Sequence, residues 1–420
     1  MCEADENEQP ILMSDNTDLL ERTGKWLESL AVPDEKFGRF RMSRSSDDTV
    51  FTSCFAAFVY ELTGGMSRLD ASRKQEWLNY ILSFQDEATG LFVDPEVENR
   101  NLHSGHDTRY VTWQLSTFCI SAVRALGGEL KYPLSFLGDE GLNTPAGVCA
   151  MLESFNWHST WGSGNLAMFL GIFLICDAEN RGIALDSDPA VTAFFDWHDN
   201  YQNKKTGFWG EGRLAEYHNG LFGAYHQYLL YFYAGRDLGC KEAIIDKTLS
   251  FQNIDGMFAP QMGGGGCEDI DAVDTLVNLY LRTGYREGDV RKCLRRVYDA
   301  VCALEAPGGG FIWGVRKRYG PMMYLRNLFS FWRQPDWYQW VFVNRRFLRE
   351  QQLNPVKPRH PQGWVSKPIP IEESDLFSTW FRLLVIAYAS MIIDTPESRN
   401  EWRFLSAPGL GWFIPPTAMT

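Results

Sequence analysis

Six segments of the chain, 51–62, 113–126, 166–175, 221–233, 273–281 and 377–393, are apolar nearly all round, and each is about as long as one helix of a barrel wall. A helix without a polar face has to be buried on every side. Between these segments lie stretches with one polar stripe, at 72–84, 189–202, 241–252 and 289–304. Such helices cover a core on one side and meet water on the other. An inner ring of the first kind wrapped by an outer ring of the second predicts an all-α protein, a single (α/α)6 toroid closed from six helical hairpins.

A short phrase punctuates this pattern. Phe84-Gln85-Asp86 precedes Gly90-Leu91-Phe92, Tyr201-Gln202-Asn203 precedes Gly207-Phe208-Trp209, Phe251-Gln252-Asn253 precedes Gly256-Met257-Phe258, and Gly308-Gly309-Gly310-Phe311 supplies a last copy. With a degenerate copy at 157–162, the phrase returns roughly every 50 to 58 residues, the length of two helices and their loops. Its role is structural. An aromatic and a glutamine end a helix, the glycine stops it, and the next aromatic packs the turn against its neighbour.

One stretch breaks the period. Residues 317–370 carry Trp332, Trp337, Trp340 and Trp364 with several arginines and prolines, and they fit no helix pair. They are expected to form an insertion over one mouth of the barrel, either a lid or an irregular aromatic connection. The rest of 18–420 is expected to be one barrel domain, preceded by a disordered acidic start at 1–17. That start is acidic where a leader peptide would be basic, and the apolar run 166–176 is too short to span a bilayer. Nine cysteines form no Cys-x-x-Cys pair and sit in apolar, helical surroundings, as reduced core cysteines do. These features together predict a cytoplasmic protein without a transmembrane segment. The formal net charge of −13 speaks against nucleic acid and against an anionic membrane as partners. A nucleotide cofactor is not expected either, since no phosphate-binding glycine loop joins a strand to a helix.

The residues able to do chemistry collect where the inner helices begin. The N-terminal ends of those helices share one rim, which gathers Asp47, Asp48, His106, Asp107, Asn165, Tyr217, His218, Asn219, Glu268, Asp269, Asp271, Asp274 and Asp375, with Trp161, Trp313 and Trp380 as aromatic candidates for the same pocket. Taken singly, an acid at a helix start is an ordinary cap. Brought together around one cavity, carboxyl groups raise one another's pKa into the range of acid catalysis. The densest cluster is Cys267-Glu268-Asp269-Ile270-Asp271-Ala272-Val273-Asp274-Thr275, following the glycine run 263–266. Asp271 and Asp274, three apart, share a helical face, with Asp269 just outside. In a pocket these acids divide into a protonated donor and a charged partner, or they hold Mg²⁺. No cofactor is required.

The helix-pair repeat and its Gln…Gly-x-Phe/Trp phrases resemble the superfamily of squalene–hopene-type terpene cyclases and protein prenyltransferase β subunits, over about 19–314 and the final helix pair. Class II cyclases of that type carry Asp-x-Asp-Asp-Thr at the head of an inner helix. Asp269-Ile270-Asp271 followed by Ala272-Val273-Asp274-Thr275 is similar, with the third acid displaced, and Ser45-Ser46-Asp47-Asp48-Thr49 is a second partial match that lacks the first acid. The resemblance implies an isoprenoid cyclase in which Asp271 donates the initiating proton, Asp269 and Asp274 support it, and aromatic faces stabilise the cations. It does not imply the zinc of prenyltransferases, since Val273 stands where their cysteine ligand falls.

A rival resemblance is to carbohydrate-active α/α barrels, whether hydrolases, lyases or epimerases. Trp161-Gly162-Ser163-Gly164-Asn165 is similar to a Trp-Gly-x-Gly-Asn segment of glucuronyl hydrolases, and Tyr217-His218-Asn219 with Tyr225-His226 holds the residue types of a lyase's base and acid. This resemblance implies a saccharide substrate. His226, alone on an apolar helix, reads more simply as a core histidine. A third reading is a toroid that only binds, with its rim acids serving as caps.

Overall fold

The computed structural model describes residues 16–33, 36–100, 102, 105–260, 262–315, 319–331 and 363–414. Residues 1–15 of the acidic start, together with Trp332, Trp337, Trp340 and most of the expected insertion, lie outside the described residues. In chain order the main helices are α1 (Asn16–Glu28), α2 (Val50–Leu62), α3 (Ala71–Leu82), α4 (Thr108–Ala125), α5 (Pro145–Ser154), α6 (Thr160–Asn180), α7 (Pro189–Tyr201), α8 (His218–Tyr233), α9 (Lys241–Ser250), α10 (Gly266–Thr283), α11 (Glu287–Cys302), α12 (Pro321–Phe331) and α13 (Leu376–Ser390).

Each apolar segment forms an inner helix. α2, α4, α6, α8, α10 and α13 touch in that order, and α13 returns to α2, so the inner wall is closed. Every residue of α13 is buried. α6, at 21 residues, is long and apolar enough to cross a membrane by length and composition, yet 72% of its apolar window is buried within the barrel. The outer positions are taken by α1, α3, α5, α7, α9 and α11. In α11 the buried residues, Val290, Cys293, Leu294, Val297, Tyr298 and Val301, follow the three-and-four spacing of a single stripe. The molecule is an (α/α)6 toroid.

The recurring phrase is a clasp between successive repeats. The Gln85 amide donates to Gly90 O of its own turn at 2.9 Å and to Tyr132 O of the following segment at 2.8 Å, while its carbonyl accepts from Lys131 N at 2.8 Å. Gln202 spans Gly207 O and Gly239 O in the same way, and Gln252 spans Gly256 O and Cys293 O. Each glutamine thus satisfies backbone groups that a helix end and a loop would leave orphaned. In the last copy Glu305 stands where glutamine is expected and pairs with Arg22 of α1 at 2.8 Å. Gly310, at φ 69°, lies so close to Trp26 of α1 that a Cβ would come within 2.6 Å of the indole. The final repeat therefore closes the outer ring on the first helix.

α6 and α8 approach through facing glycines. A Cβ on Gly164 would lie 2.4 Å from Gly223 O, and one on Gly223 would lie 2.4 Å from Thr160 O. Gly164→Ala should therefore force the helices apart and lower stability by about 1–3 kcal/mol, read by urea denaturation. An unchanged midpoint would show that this crossing is slack. At the opposite end of the barrel, the C-terminal segment covers the ends of the inner helices: Tyr388 donates to Trp412 O at 2.9 Å, and Tyr233 meets the Trp412 ring at 5.2 Å.

Candidate active site

The rim at the N-terminal ends of the inner helices opens into a cavity of about 820 Å³ that reaches toward Leu410 of the C-terminal segment. Its wall is built from rows at helical spacing. His106, Tyr110, Gln114 and Phe118 step down α4 every four residues, beginning just before its first turn; Trp161 and Asn165 descend α6, Cys267 and Asp271 α10, and Phe377 and Phe381 α13. From α8 come Asn219 and His226, two turns apart. His106, Trp161, Asn165, Asn219 and Asp271 are the expected residues that the fold brings together here.

Among the described residues Asp271 is the one carboxyl in this wall. It is 1% exposed, and its Oδ2 has no hydrogen-bond partner. Burial, reinforced by the negative charges of Glu268, Asp274 and Asp269, pushes its pKa well above the ordinary carboxylate range. Burial thus favours the protonated, uncharged form of this carboxyl.

The two acids expected to support it are engaged elsewhere. Asp269, fully buried, forms an ion pair with Arg382 of α13 and accepts from Phe258 N at 2.7 Å. Arg382 in turn donates to Trp313 O. Asp274 is turned into the core, where Tyr225 donates to its Oδ2 at 3.0 Å and Asn278 to its Oδ1. Burial raises the Asp274 pKa to about 7, against the pull of these donors. The three acids therefore do not converge on one point, and no group of three or more His, Cys, Asp or Glu among the described residues is placed to hold a metal ion.

His226, read from the sequence as a core residue, is in the cavity wall. Burial lowers its pKa to about 4, so the ring is neutral. Its Nδ1 lies 2.5 Å from Phe222 O, which places the proton on Nδ1 and leaves Nε2 as a lone-pair acceptor. His106 stacks on Tyr110 at 4.3 Å, and burial lowers its pKa as well.

The remaining rim residues serve the framework. Asp107 caps α4 through Tyr110 N at 2.7 Å, and Asp375 caps α13 through Ser378 N at 2.8 Å, with burial raising the Asp375 pKa to about 6. Asp48 pairs with Arg39 at 2.8 Å. Tyr217 lies beneath Lys247, and His218 is buried against Phe251. Trp313 stacks on Phe377, and Trp380 packs on Phe58 deep in the barrel. None of these lines the cavity.

Asp47 fastens a strap across the mouth. Burial raises its pKa, but the donors Ser366 Oγ, Ser366 N and Lys367 N outweigh that effect and hold it below the usual range. The strap lays Trp364 into a nest of Phe51, Phe55, Phe118 and Phe377, with its indole N–H donating to Gln114 at 3.2 Å. Residues 363–366 line the cavity, as does Arg100, which donates to Asp48 O at 2.8 Å. Asp47→Ala should cost about 1.5–3 kcal/mol through its lost charge-assisted bonds. An unshifted thermal midpoint would show that the strap is held by Trp364 alone.

Sequence reasoning missed Tyr110, Gln114, Arg100, Cys267 and the wall position of His226. The signal for two of them was present: His106, Tyr110 and Gln114 keep one face of α4 at four-residue steps.

No protein-family profile matches the chain, and no curated protein is significantly similar to it. Among solved structures, a GH76A alpha-1,6-mannanase from Salegentibacter sp. HEL1_6 is similar at 12% identity and a TM-score of 0.47, covering 90% of this chain and 100% of that one. The expected isoprenoid cyclase is corrected here. The cavity is unlike a cation chamber. Carbocations need dry aromatic walls free of lone pairs. This wall presents Gln114, Asn165, Asn219 and the neutral His226, and the acids meant to support Asp271 are bound to Arg382 and to Tyr225 and Asn278.

Proposed function

We propose that the protein is a carbohydrate-active enzyme in which Asp271 gives its proton to an oxygen of a bound saccharide. The observation that carries this reading is the Asp271 carboxyl, buried without a partner for Oδ2 in the wall of an 820 Å³ cavity. A protonated acid in a polar, water-accessible pocket is suited to protonating a leaving-group oxygen. Trp161 and Trp364 provide apolar faces for a sugar ring, while Asn165, Asn219 and Gln114 provide amides for its hydroxyls.

The geometry favours elimination or epimerisation over two-carboxylate hydrolysis. Hydrolysis of the common kind needs a second carboxylate facing the first, and among the described residues the wall holds Asp271 alone. His226, neutral and with Nε2 unprotonated, supplies the base that proton abstraction requires, and Arg100, held by ion pairs to Asp47 and Glu96, is the cationic side chain that borders the cavity among the described residues.

The test is incubation of the wild type and Asp271→Asn with neutral and uronic-acid oligosaccharides, followed by mass spectrometry and ultraviolet absorbance of the products. An unsaturated sugar end that forms with the wild type and falls about 10²- to 10⁴-fold in the variant supports the reading. A new reducing end without unsaturation moves the assignment to hydrolysis. No change in any saccharide rejects it.

A further inference from the structure

The cavity is polar near the rim and apolar at its inner end. Down α4 the wall changes from His106, Tyr110 and Gln114 to Phe118, and Phe381 and Leu410 complete an apolar floor. Leu410 enters from the C-terminal segment between Gly409, at φ 120°, and Gly411, at φ 80°. A Cβ on Gly411 would stand 3.1 Å from the Trp380 ring, so the segment is seated against α13. Beyond Phe118 and Leu410, which border both, lies a second space of about 10 Å³, walled by Phe58, Met168 and Ile172. Trp380 also borders it, and the indole Nε1 of this residue, 1% exposed, has no hydrogen-bond partner. A buried donor without an acceptor is costly, and each such group in a fold calls for an explanation.

The groups around this space define what fits it. Its volume holds about one water-sized group, so it receives the tip of a substituent and not a second sugar ring. Among the described residues no charged side chain and no histidine borders it, which excludes a carboxylate or an amine, whose charge would be buried without a partner. The Trp380 indole only donates, so the tip is an acceptor. Thr117 already gives its proton to Gln114 O at 2.9 Å, and Ser121 brings a second hydroxyl able to donate. A carbonyl oxygen, with two lone pairs and no proton of its own, matches two donors set among apolar walls. A bare sugar hydroxyl would lose its water in crossing the apolar floor, whereas an acyl group meets that floor with carbon.

We propose that this space is a subsite for an O-acetyl group, so that the substrate is an acetylated saccharide whose ester carbonyl accepts from Trp380. The inference rests on the saccharide reading above and narrows its substrate. Titration calorimetry with the full-length Asp271→Asn protein, in which turnover is blocked, compares neutral and uronic-acid oligosaccharides with the same sugars after chemical O-acetylation. A buried methyl and a satisfied N–H together correspond to about tenfold in affinity, so the acetylated ligands should bind that much more tightly. Adding Trp380→Phe keeps a ring in the wall, removes the donor and should cut the preference roughly fivefold. Adding Ile172→Phe instead, which fills the space from a side that does not border the main cavity, should erase it. Melting temperatures verify that each variant is folded, and the ratio measured before either change decides the matter if neither is. Equal affinity for acetylated and bare sugars overturns the proposal and leaves the saccharide reading standing. Binding of neither kind removes both. A preference undiminished by Trp380→Phe also overturns the proposal, since the acetyl group would then be held elsewhere.

Discussion

Asp271→Asn is expected to abolish saccharide turnover while making the folded protein more stable at neutral pH. The two effects share one cause. In the unfolded chain this carboxyl ionises near pH 4, whereas burial and the neighbouring acids raise its folded pKa well above that value. Between the two pKa values the folded state holds a proton that the unfolded state has released. Stability from this group is therefore complete below the unfolded pKa and falls as pH rises, until the folded pKa is passed. Asparagine removes the titration and with it the loss. Melting temperatures of both proteins at pH 5 and pH 8 check this. The wild type should lose more on going to pH 8 than the variant does. Asp274, whose pKa burial raises to about 7, contributes a slope of the same sign that survives in the variant, so the difference between the two proteins isolates Asp271. Identical slopes would remove Asp271 as the protonated group. Turnover by the wild type should fall as pH rises through the folded pKa, because the proton donor is then lost.

The largest effect on stability is expected from Arg382→Met. Arg382 and Asp269 are both fully buried, and the ion pair joins α13 to the head of α10. Removing the arginine leaves Asp269 with one donor, Phe258 N, and a charge in the core. Breaking such a pair costs about 3–5 kcal/mol, although the intact pair contributes little net stability. The double variant Arg382→Met/Asp269→Asn should recover much of that loss, since the amide carbonyl still accepts from Phe258 N and no charge remains. Urea denaturation of the two single variants and the double measures the coupling. A double variant no more stable than Arg382→Met would show that Asp269 already carries a proton in the fold. Burial raises its pKa in that direction, and Arg382 opposes the shift.

Residue type misled the reading of the site where residue position did not. Asp269, Asp271 and Asp274 were grouped because they stand within six residues on one helix. That spacing turns Asp269 toward Arg382, Asp271 toward the cavity and Asp274 toward Tyr225. The apolar neighbours of His226 point to a core residue, yet α8 is an inner helix, and a residue buried in such a wall can still border the central cavity. Strap residues 363–366 were unreadable in another sense. Asp47 and Ser366 lie more than 300 positions apart, and nothing local links them.

The architecture was legible because it follows from local rules repeated six times. All-round apolar helices must be inside, striped helices must be outside, and in three of the repeats a glutamine with a glycine closes the turn. Those rules depend on residues near one another in the chain, so the apolar runs that hold Phe51, Phe118 or Leu383, set between striped segments, were enough to predict a closed toroid. The identity of the acid in the cavity was not local. It depended on the rotation of each inner helix about its axis, which is set by contacts such as Gly164 against Gly223 and Arg382 against Asp269. A turn of one residue moves a side chain about 100° around a helix, and only the packed barrel decides which of three neighbouring carboxyls remains unpaired.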